Sequence, residues 1–176
     1  GNKIIKYCTP NLMTLGRVWS LFDAEPVTIE WILNFNENDI LLDIGANVGT
    51  YGIFASVMKN AIVYAFEPES QNFSLLTKNI LYNDLSERMT AWPVAISDEQ
   101  KFSLLNLWGF RAGNSHHFFD ESKNFKLEEE NFPFVQGAVS TTIDALVDAE
   151  IIPIPDHIKI DVDGIEDKVV QGAWNT

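Results

Sequence analysis

The stretch Asp39-Ile40-Leu41-Leu42-Asp43-Ile44-Gly45-Ala46-Asn47-Val48-Gly49-Thr50-Tyr51-Gly52 is the part of the sequence from which the fold can be inferred. Its apolar run at 40–44 shows no alternation, which is typical of a strand in a parallel sheet covered by helices on both faces. The glycines that follow allow backbone conformations, and a close approach of a ligand, that a side chain would obstruct. Apolar residues at helical spacing in 53–58 indicate an amphipathic helix. The stretch therefore predicts a buried strand, a tight ligand-binding turn and the start of a helix.

Further segments of the chain repeat this alternation of strand and helix. Strands are expected at 61–66, 89–96 and 157–161, and helices around 73–80, at 140–146 and from Asp163, which has the spacing of a reciprocal cap with Glu166. Another helix is expected over 27–35, with Asp23 as its cap and Pro26 in its first turn. Residues 1–22 show no clear period and fit either a strand or a short helix. This order predicts an α/β fold with a doubly wound, Rossmann-like, mostly parallel sheet.

The region 102–134 follows the pattern least well. It is expected to be an insertion that begins with a short strand at 102–107 and continues as a polar and aromatic stretch. Its aromatic side chains suit either a lid over a bound acceptor or simple attachment of a long loop to the core. They are Trp108, Phe110, Phe118 and Phe119.

Bulk properties limit the partners of the chain. Its 176 residues, 46% of them hydrophobic, suffice for one domain with a sizeable core. The net charge of -13 disfavours nucleic acid and anionic membrane surfaces as partners and leaves small molecules. Cys8 is the single cysteine and cannot form an internal disulfide, and no apolar stretch approaches the roughly 20 residues of a membrane helix. We therefore expect a cytoplasmic protein, with an oligomeric state that the sequence does not indicate.

Two ligand classes compete for the glycine turn, a dinucleotide and S-adenosylmethionine. A dinucleotide fingerprint requires G-x-G-x-x-G, but Asn47 occupies the middle glycine position and Thr50 the last. S-adenosylmethionine carries a sulfonium and an ammonium against one carboxylate, so Asp43 directly before the turn would attract it. Glu67 ends the next strand and can accept hydrogen bonds from both ribose hydroxyls of either ligand. The charge pattern favours S-adenosylmethionine, with an NAD-dependent oxidoreductase and a non-catalytic cofactor-binding or interaction module as alternatives.

Three motifs resemble, in this order, the FkbM-type family of S-adenosylmethionine-dependent methyltransferases. They are Asp43-Ile44-Gly45-Ala46-Asn47-Val48-Gly49, then Phe66-Glu67-Pro68, then Ile158-Lys159-Ile160-Asp161-Val162-Asp163-Gly164-Ile165-Glu166 with Gly172-Ala173. The resemblance implies the class I methyltransferase fold, S-adenosylmethionine as methyl donor, and O-methylation of a hydroxyl on a sugar or natural product. Asp163 departs from the family pattern, which more often has Glu at this place.

The resemblance covers about residues 37–176, which are expected to form the methyltransferase domain. Residues 1–36 are expected to be an N-terminal segment with a helix that leads into it. The C-terminal strands of the class I fold are absent from the sequence, so the domain is expected to be incomplete at that end.

The residues predicted to bind S-adenosylmethionine lie in the turn and at the end of the second strand. They are Asp43, Gly45, Ala46, Asn47, Gly49, Tyr51, Glu67 and Pro68. No metal is predicted, because the carboxylates of Asp161 and Asp163 alone are a weak cation signal.

Methyl transfer to an unactivated hydroxyl requires an acceptor oxygen placed in line and a base for its proton. Asp161, at the carboxyl end of a strand near the switch point of the sheet, is the first choice for either task. Its alternative role is only to order the following turn. His116 or His117 could also serve as the base, since histidine titrates near neutral pH.

Overall fold

The computed structural model describes residues 3–115, 117–120 and 132–176, which form two four-stranded sheets and their helices. The helices are α1 Leu12–Trp19, α2 Leu21–Ala24, α3 Pro26–Leu33, α4 Thr50–Lys59, α5 Ser70–Tyr82, α6 Ile143–Asp148 and α7 Glu166–Gln171. The strands are β1 Ile40–Ile44, β2 Ile62–Phe66, β3 Met89–Trp92, β4 Ala95–Ile96, β5 Lys101–Leu107, β6 His117–Phe119, β7 Phe134–Thr141 and β8 His157–Ile160. In this part of the chain, no helix is both long and apolar enough to cross a membrane.

The first sheet has the strand order β3-β2-β1-β8, and every pairing in it is parallel. Because the strands are parallel, their carboxyl ends meet at one edge, where Ile44 pairs with Phe66 on one side and Ile160 on the other. The predicted α/β architecture is confirmed, as is the prediction that 40–44 is a strand of a parallel sheet.

Both faces of this sheet are covered, as the absence of alternation in β1 predicts. Leu41 packs with Val63 and the helix residues Ile32, Ile53 and Leu76 in one cluster. A second cluster joins the other face to α6 and α7, and contains Leu42, Ile44, Phe66, Ile143, Leu146 and Val169. Burial of each such side chain contributes about 1.5–3 kcal/mol, so the two clusters supply most of the stability of the sheet.

The second sheet has the order β4-β7-β5-β6, with β5 antiparallel to both of its neighbours. The single strand predicted at 89–96 is therefore wrong: β3 belongs to the first sheet and β4 to the second. Pro93 lies between them and has no N–H to donate to a continuous ladder. The predicted strand at 102–107 is confirmed as β5, whereas β7 was not predicted.

Helix starts differ from the predictions in three places. Ser140 belongs to β7, and α6 starts at Ile143 with the Thr142 hydroxyl accepting the Ala145 N–H at 3.0 Å. Asp23 lies inside α2 and caps nothing in α3, although Pro26 does occupy the first turn of α3. For residues 1–22 the sequence allowed either a strand or a short helix, and the structure has the helix α1 there. Asn11 and Thr14 cap its start reciprocally.

The predicted reciprocal cap between Asp163 and Glu166 is also wrong. The residue preceding α7 is Ile165, which has no side-chain cap, and Glu166 is the first residue of the helix. The Asp163 carboxylate instead accepts the backbone N–H of His117 at 3.2 Å. This bond attaches the start of β6 to the loop after β8.

Candidate cofactor and acceptor site

A cavity of about 310 Å³ lies at the carboxyl edge of the parallel sheet. This volume is within the range of small-molecule sites, and open parallel sheets bind ligands at this edge. Its wall is formed by the ends of β1, β2 and β8, by α1 and α5, by the junction of α2 and α3, by the second sheet and by the loop before β6. The lining residues are Arg17, Glu25, Ile44, Gly45, Asn47, Phe66, Glu67, Pro68, Asn72, Val94, Ala95, Ile96, Leu105, Asn114, Ser115, His117, Phe119, Asp161, Val162, Asp163 and Ile165.

The turn after β1 is shaped by residues in the left-handed backbone region. Gly45 has φ +78°, and both Gly45 and Ala46 donate their N–H groups to the Phe66 carbonyl at 3.0 Å. Asn47 has φ +51°, which asparagine tolerates better than most residues. The turn therefore bends sharply across the end of β2 and is fixed to it by these two bonds.

A side chain at each of these glycines would collide with another part of the protein. A Cβ on Gly45 would lie 2.0 Å from the Asp161 carbonyl oxygen, and one on Gly49 would lie 2.4 Å from Leu76 Cδ1. A Cβ on Gly52 would lie 2.9 Å from Met89 Cε. The glycines therefore lie where the turn and α4 pack closely against the end of β8, α5 and β3.

Glu67 follows β2 as a buried carboxylate in the cavity wall. Its Oε2 accepts the Asn47 N–H at 2.8 Å, and its Oε1 accepts the Glu69 N–H at 2.9 Å. Burial raises the pKa of Glu67 to about 7, although these two N–H groups act in the opposite direction. Each carboxylate oxygen can accept a further bond through its second lone pair, as a ribose diol would require.

Asp43 lies behind the turn and does not line the cavity. It is 1% exposed, and its Oδ2 accepts the Gly52 N–H at 3.2 Å. Its Oδ1 lies 3.8 Å from the Lys159 ammonium nitrogen. Burial raises the pKa of Asp43, against the opposing charge of Lys159. In this structure the carboxylate fixes the start of α4 and neutralises Lys159, so its charge is not presented directly to a ligand.

Asp161 stands on the cavity wall directly after β8 and is exposed. The Lys159 ammonium donates a hydrogen bond to its Oδ2 at 2.9 Å and lies 5.0 Å from the centre of the Tyr51 ring. Burial lowers the pKa of Lys159, but the charges of Asp43 and Asp161 outweigh this effect and raise it. A buried, charged lysine therefore orients the one carboxylate that was predicted to face the acceptor.

The structure brings only part of the predicted cofactor set into the cavity wall. Gly45, Asn47, Glu67 and Pro68 line it, whereas Ala46, Gly49 and Tyr51 lie around the turn without lining it. Their predicted role in cofactor binding remains a prediction.

The structure likewise places only some of the predicted bases and aromatic residues in the cavity wall. Asp161 and His117 line the cavity, whereas His116 lies outside the described residues. Phe119 is in the wall, and the exposed Trp108 and Phe110 are not.

Several cavity residues carried no clear signal in the sequence. Arg17 comes from the segment without a clear period and lies in α1, and Glu25 lies between α2 and α3, so the packing of these helices places both residues at the cavity. Asn72 is fully buried in the first turn of α5, and Asn114 lies in the insertion. The position of Asn72 just after the Glu67 motif is the one hint that could have identified it.

Comparisons with known proteins agree with the geometry. A model of the methyltransferase FkbM domain matches residues 43–176. The hexuronic acid methyltransferase AglP of Haloferax volcanii is 27% identical in an alignment of 173 residues that covers 93% of this chain. The chain spans 63% of the length of that curated relative.

A solved structure shares the fold. The crystal structure of the methyltransferase FkbM from Methylobacillus flagellatus KT has a TM-score of 0.51 at 19% sequence identity, over 80% of this chain and 30% of that chain. The predicted class I methyltransferase sheet is thereby confirmed. Since the family model matches most of the sequence, the chain belongs to the FkbM methyltransferase family.

Proposed function

We propose that this protein is an S-adenosylmethionine-dependent O-methyltransferase that acts on a hydroxyl of a sugar or natural-product small molecule. The observation that carries the proposal is the placement of two different carboxylates in one cavity. Glu67 is buried after β2, and Asp161 is exposed after β8. Because β1 lies between these strands, their ends are about 10 Å apart, or two strand spacings. This separation provides one end for a cofactor and another for an acceptor.

The residues on the β2 side fit the proposed cofactor. Glu67 offers acceptor oxygens for a ribose diol, and Phe66 and Pro68 offer apolar surface beside it. The carboxylates around the cavity favour a sulfonium cation. When bound, S-adenosylmethionine would supply the electrophilic methyl group.

The residues on the β8 side fit the acceptor. Asp161 would accept a hydrogen bond from the acceptor hydroxyl, orient its oxygen for in-line attack and take up its proton. Lys159 would hold the Asp161 carboxylate in place through the 2.9 Å bond. Leu105 and Phe119 add apolar surface to the cavity wall, where they would exclude water from the reacting groups.

The choice of a sugar as the acceptor is supported by a relative as well as by the cavity. The Haloferax volcanii relative is named as a methyltransferase of hexuronic acid. A polyhydroxylated acceptor also suits the polar side chains of Asn114 and Ser115 in the cavity wall. We therefore favour a sugar over other hydroxyl compounds.

Calorimetric titration tests the choice of cofactor. We expect S-adenosylhomocysteine to bind and NAD not to bind, because the turn lacks the pyrophosphate glycine register. Binding of NAD without S-adenosylhomocysteine would refute the proposal.

Replacement of Asp161 by Asn tests the acceptor side. Release of S-adenosylhomocysteine over a panel of hexoses and hexuronic acids should fall by about 100-fold or more, since a positioned base contributes on that order. Affinity for S-adenosylhomocysteine should change by less than about twofold, because Asp161 is assigned to the acceptor. Asp148→Asn, a change at an exposed residue of α6, is the matched control and should leave both quantities unchanged. Full turnover in Asp161→Asn would remove Asp161 from the mechanism.

A further inference from the structure

The loop at residues 111–115, between β5 and β6, is bound to the cofactor side of the cavity by two asparagine side chains. Asn72 of α5 accepts the Gly113 N–H on its Oδ1 at 2.7 Å and donates from its Nδ2 to the Asn114 carbonyl at 3.0 Å. Asn47 in the turn donates from its Nδ2 to the same carbonyl at 2.7 Å. The buried Asn72 side chain thus hydrogen-bonds both a backbone N–H and a backbone carbonyl of the loop.

One of these asparagines also bonds to Glu67. The Asn47 N–H donates to its Oε2 at 2.8 Å. The Asn72 amide is connected to Glu67 through the Asn114 carbonyl, which it shares with Asn47 as a hydrogen-bond acceptor. The Glu67 carboxylate and the 111–115 loop are therefore linked through shared hydrogen-bond partners.

The opposite side of the loop rests on α1. Arg17 donates from its Nε to the Gly113 carbonyl at 2.6 Å, and Asn11 donates from its Nδ2 to the Ala112 carbonyl at 2.9 Å. Gly113 has φ +92°, and a Cβ there would lie 2.9 Å from Thr14 Cγ2. Because α1 holds one side of the loop, the Asn72 amide on the other side sets the position of the loop relative to Glu67.

We propose that Asn72 is a positioning residue that couples ligand binding at Glu67 to the conformation of the 111–115 loop. This inference rests on the proposed function, in which Glu67 binds the ribose of the cofactor. Asn114 and Ser115 of the loop line the same cavity. Cofactor binding therefore fixes the position of loop residues that contact the acceptor. The acceptor side of the cavity is complete only when the methyl donor is bound.

Tryptic cleavage after Arg111 reports the state of the loop, because this arginine is exposed and opens the segment. The cleavage rate is measured with and without saturating S-adenosylhomocysteine, and the fragment ending at Arg111 is identified by mass. Calorimetry gives the affinity for the same ligand. The variant is Asn72→Ala.

The control variant is Asn83→Ala at the end of the same helix. Asn83 accepts the Lys6 N–H at 2.8 Å and donates to the Lys6 carbonyl at 2.7 Å, so its removal deletes the same kind of double amide bond away from the cavity. Should Asn72→Ala fail to fold, Asn72→Asp keeps the shape and the acceptor for Gly113 but removes the donor to Asn114.

In the unmodified chain and in Asn83→Ala, the ligand should slow cleavage at Arg111 by about tenfold or more, as binding shifts the loop to its closed population. In Asn72→Ala or Asn72→Asp, protection should fall below about twofold and the affinity should drop by about tenfold. Equal protection in Asn72→Ala and Asn83→Ala, or no protection of the unmodified chain while the ligand is bound, would overturn the coupling. Failure of the unmodified chain to bind S-adenosylhomocysteine would instead refute the proposed function.

Discussion

At the scale of single residues, Gly45 carries the strictest steric requirement of the turn. Its φ of +78° is costly for residues with a side chain, and its Cβ position lies 2.0 Å from the backbone oxygen of Asp161. Neither the turn nor the end of β8 can move alone, because the Gly45 N–H is bonded to Phe66 and the Asp161 N–H to Ile44. A methyl group at this position therefore forces two strands apart.

We expect Gly45→Ala to lower the free energy of unfolding by about 3 kcal/mol or more, measured by urea titration with linear extrapolation. Gly16→Ala is the matched control, since Gly16 lies within α1 and a Cβ there meets nothing within 4 Å. That change should raise the free energy of unfolding by about 0.5–1 kcal/mol through lower backbone entropy of the unfolded chain. Equal effects of the two substitutions would contradict the packing described for the turn.

Glu67 gives the second prediction at this scale, because its pKa of about 7 in the ligand-free protein lies above the ordinary glutamate value. A ribose diol donates hydrogen bonds and so binds the ionised carboxylate in preference to the acid. Below pH 7 the proton must leave before the ligand binds, whereas above pH 7 the carboxylate is already ionised.

The affinity for S-adenosylhomocysteine should therefore rise by about tenfold per pH unit from pH 5 towards pH 7 and then become constant. Glu67→Gln should bind more weakly at pH 8 and show little dependence over the same range. Calorimetry in buffers of equal ionic strength gives both profiles. A profile of the unmodified chain that stays flat between pH 5 and pH 8 would show that Glu67 does not bind the ligand as an anion.

Sequence reasoning predicted that Glu67 and Asp43 both bind the cofactor, and the structure gives the two carboxylates different surroundings, with Glu67 in the cavity wall and Asp43 beside Lys159. Both are carboxylates at or near the end of a buried strand, so pattern alone treats them alike. The difference is Lys159, which is a direct neighbour of Asp43 in the sheet and lies more than 100 residues away in the chain. Long-range pairing decides whether a carboxylate faces a ligand or a lysine, and no local pattern encodes it.

At the scale of elements, the pairing of β1 with β8 places Asp43 and Lys159 in register. Their charged groups are 3.8 Å apart and almost completely buried. Breaking a buried pair by removal of one partner leaves an uncompensated charge, which costs more than the pair itself contributes.

We expect Lys159→Met to lower the free energy of unfolding by about 3–5 kcal/mol, and the added change Asp43→Asn to restore at least about 1 kcal/mol of it. Asparagine can still accept the Gly52 N–H, so the start of α4 keeps its bond. As a control, Lys101→Met removes an ammonium that pairs with Glu99 and Asp120 near the surface, and should cost no more than about 1 kcal/mol. Additive effects of the Asp43 and Lys159 substitutions would show that the two groups do not interact.

The second sheet shows where element prediction fails. A run of apolar residues at 89–96 is compatible with one strand, and only the two sheets reveal that Pro93 separates β3 from β4. The β7 strand exposes Phe134 on one face and Val135 and Val139 on the other, so the usual alternation of buried apolar and exposed polar residues is missing. Its pairing with β5 rather than its pattern makes it a strand.

At the scale of the whole molecule, acidic residues outnumber basic ones around the cavity. The ionisable residues in the described part of its wall include Glu25, Glu67, Asp161 and Asp163, against Arg17. The chain as a whole carries -13. A cationic methyl donor offsets only part of this field, so an acceptor with its own carboxylate meets repulsion during approach and binding.

On the proposed function, kcat/KM for a neutral hexoside should therefore exceed that for the hexuronic acid of the same configuration by about tenfold at ~0.01 M ionic strength. The ratio should shrink as salt is raised to ~0.5 M, because the screening length falls from roughly 30 Å to a few ångströms. Glu25→Gln removes one carboxylate from the wall and should improve the acid substrate by about threefold while leaving the neutral one unchanged. A preference for the hexuronic acid at low salt would contradict this prediction and bring the acceptor of this protein into line with that of its Haloferax volcanii relative.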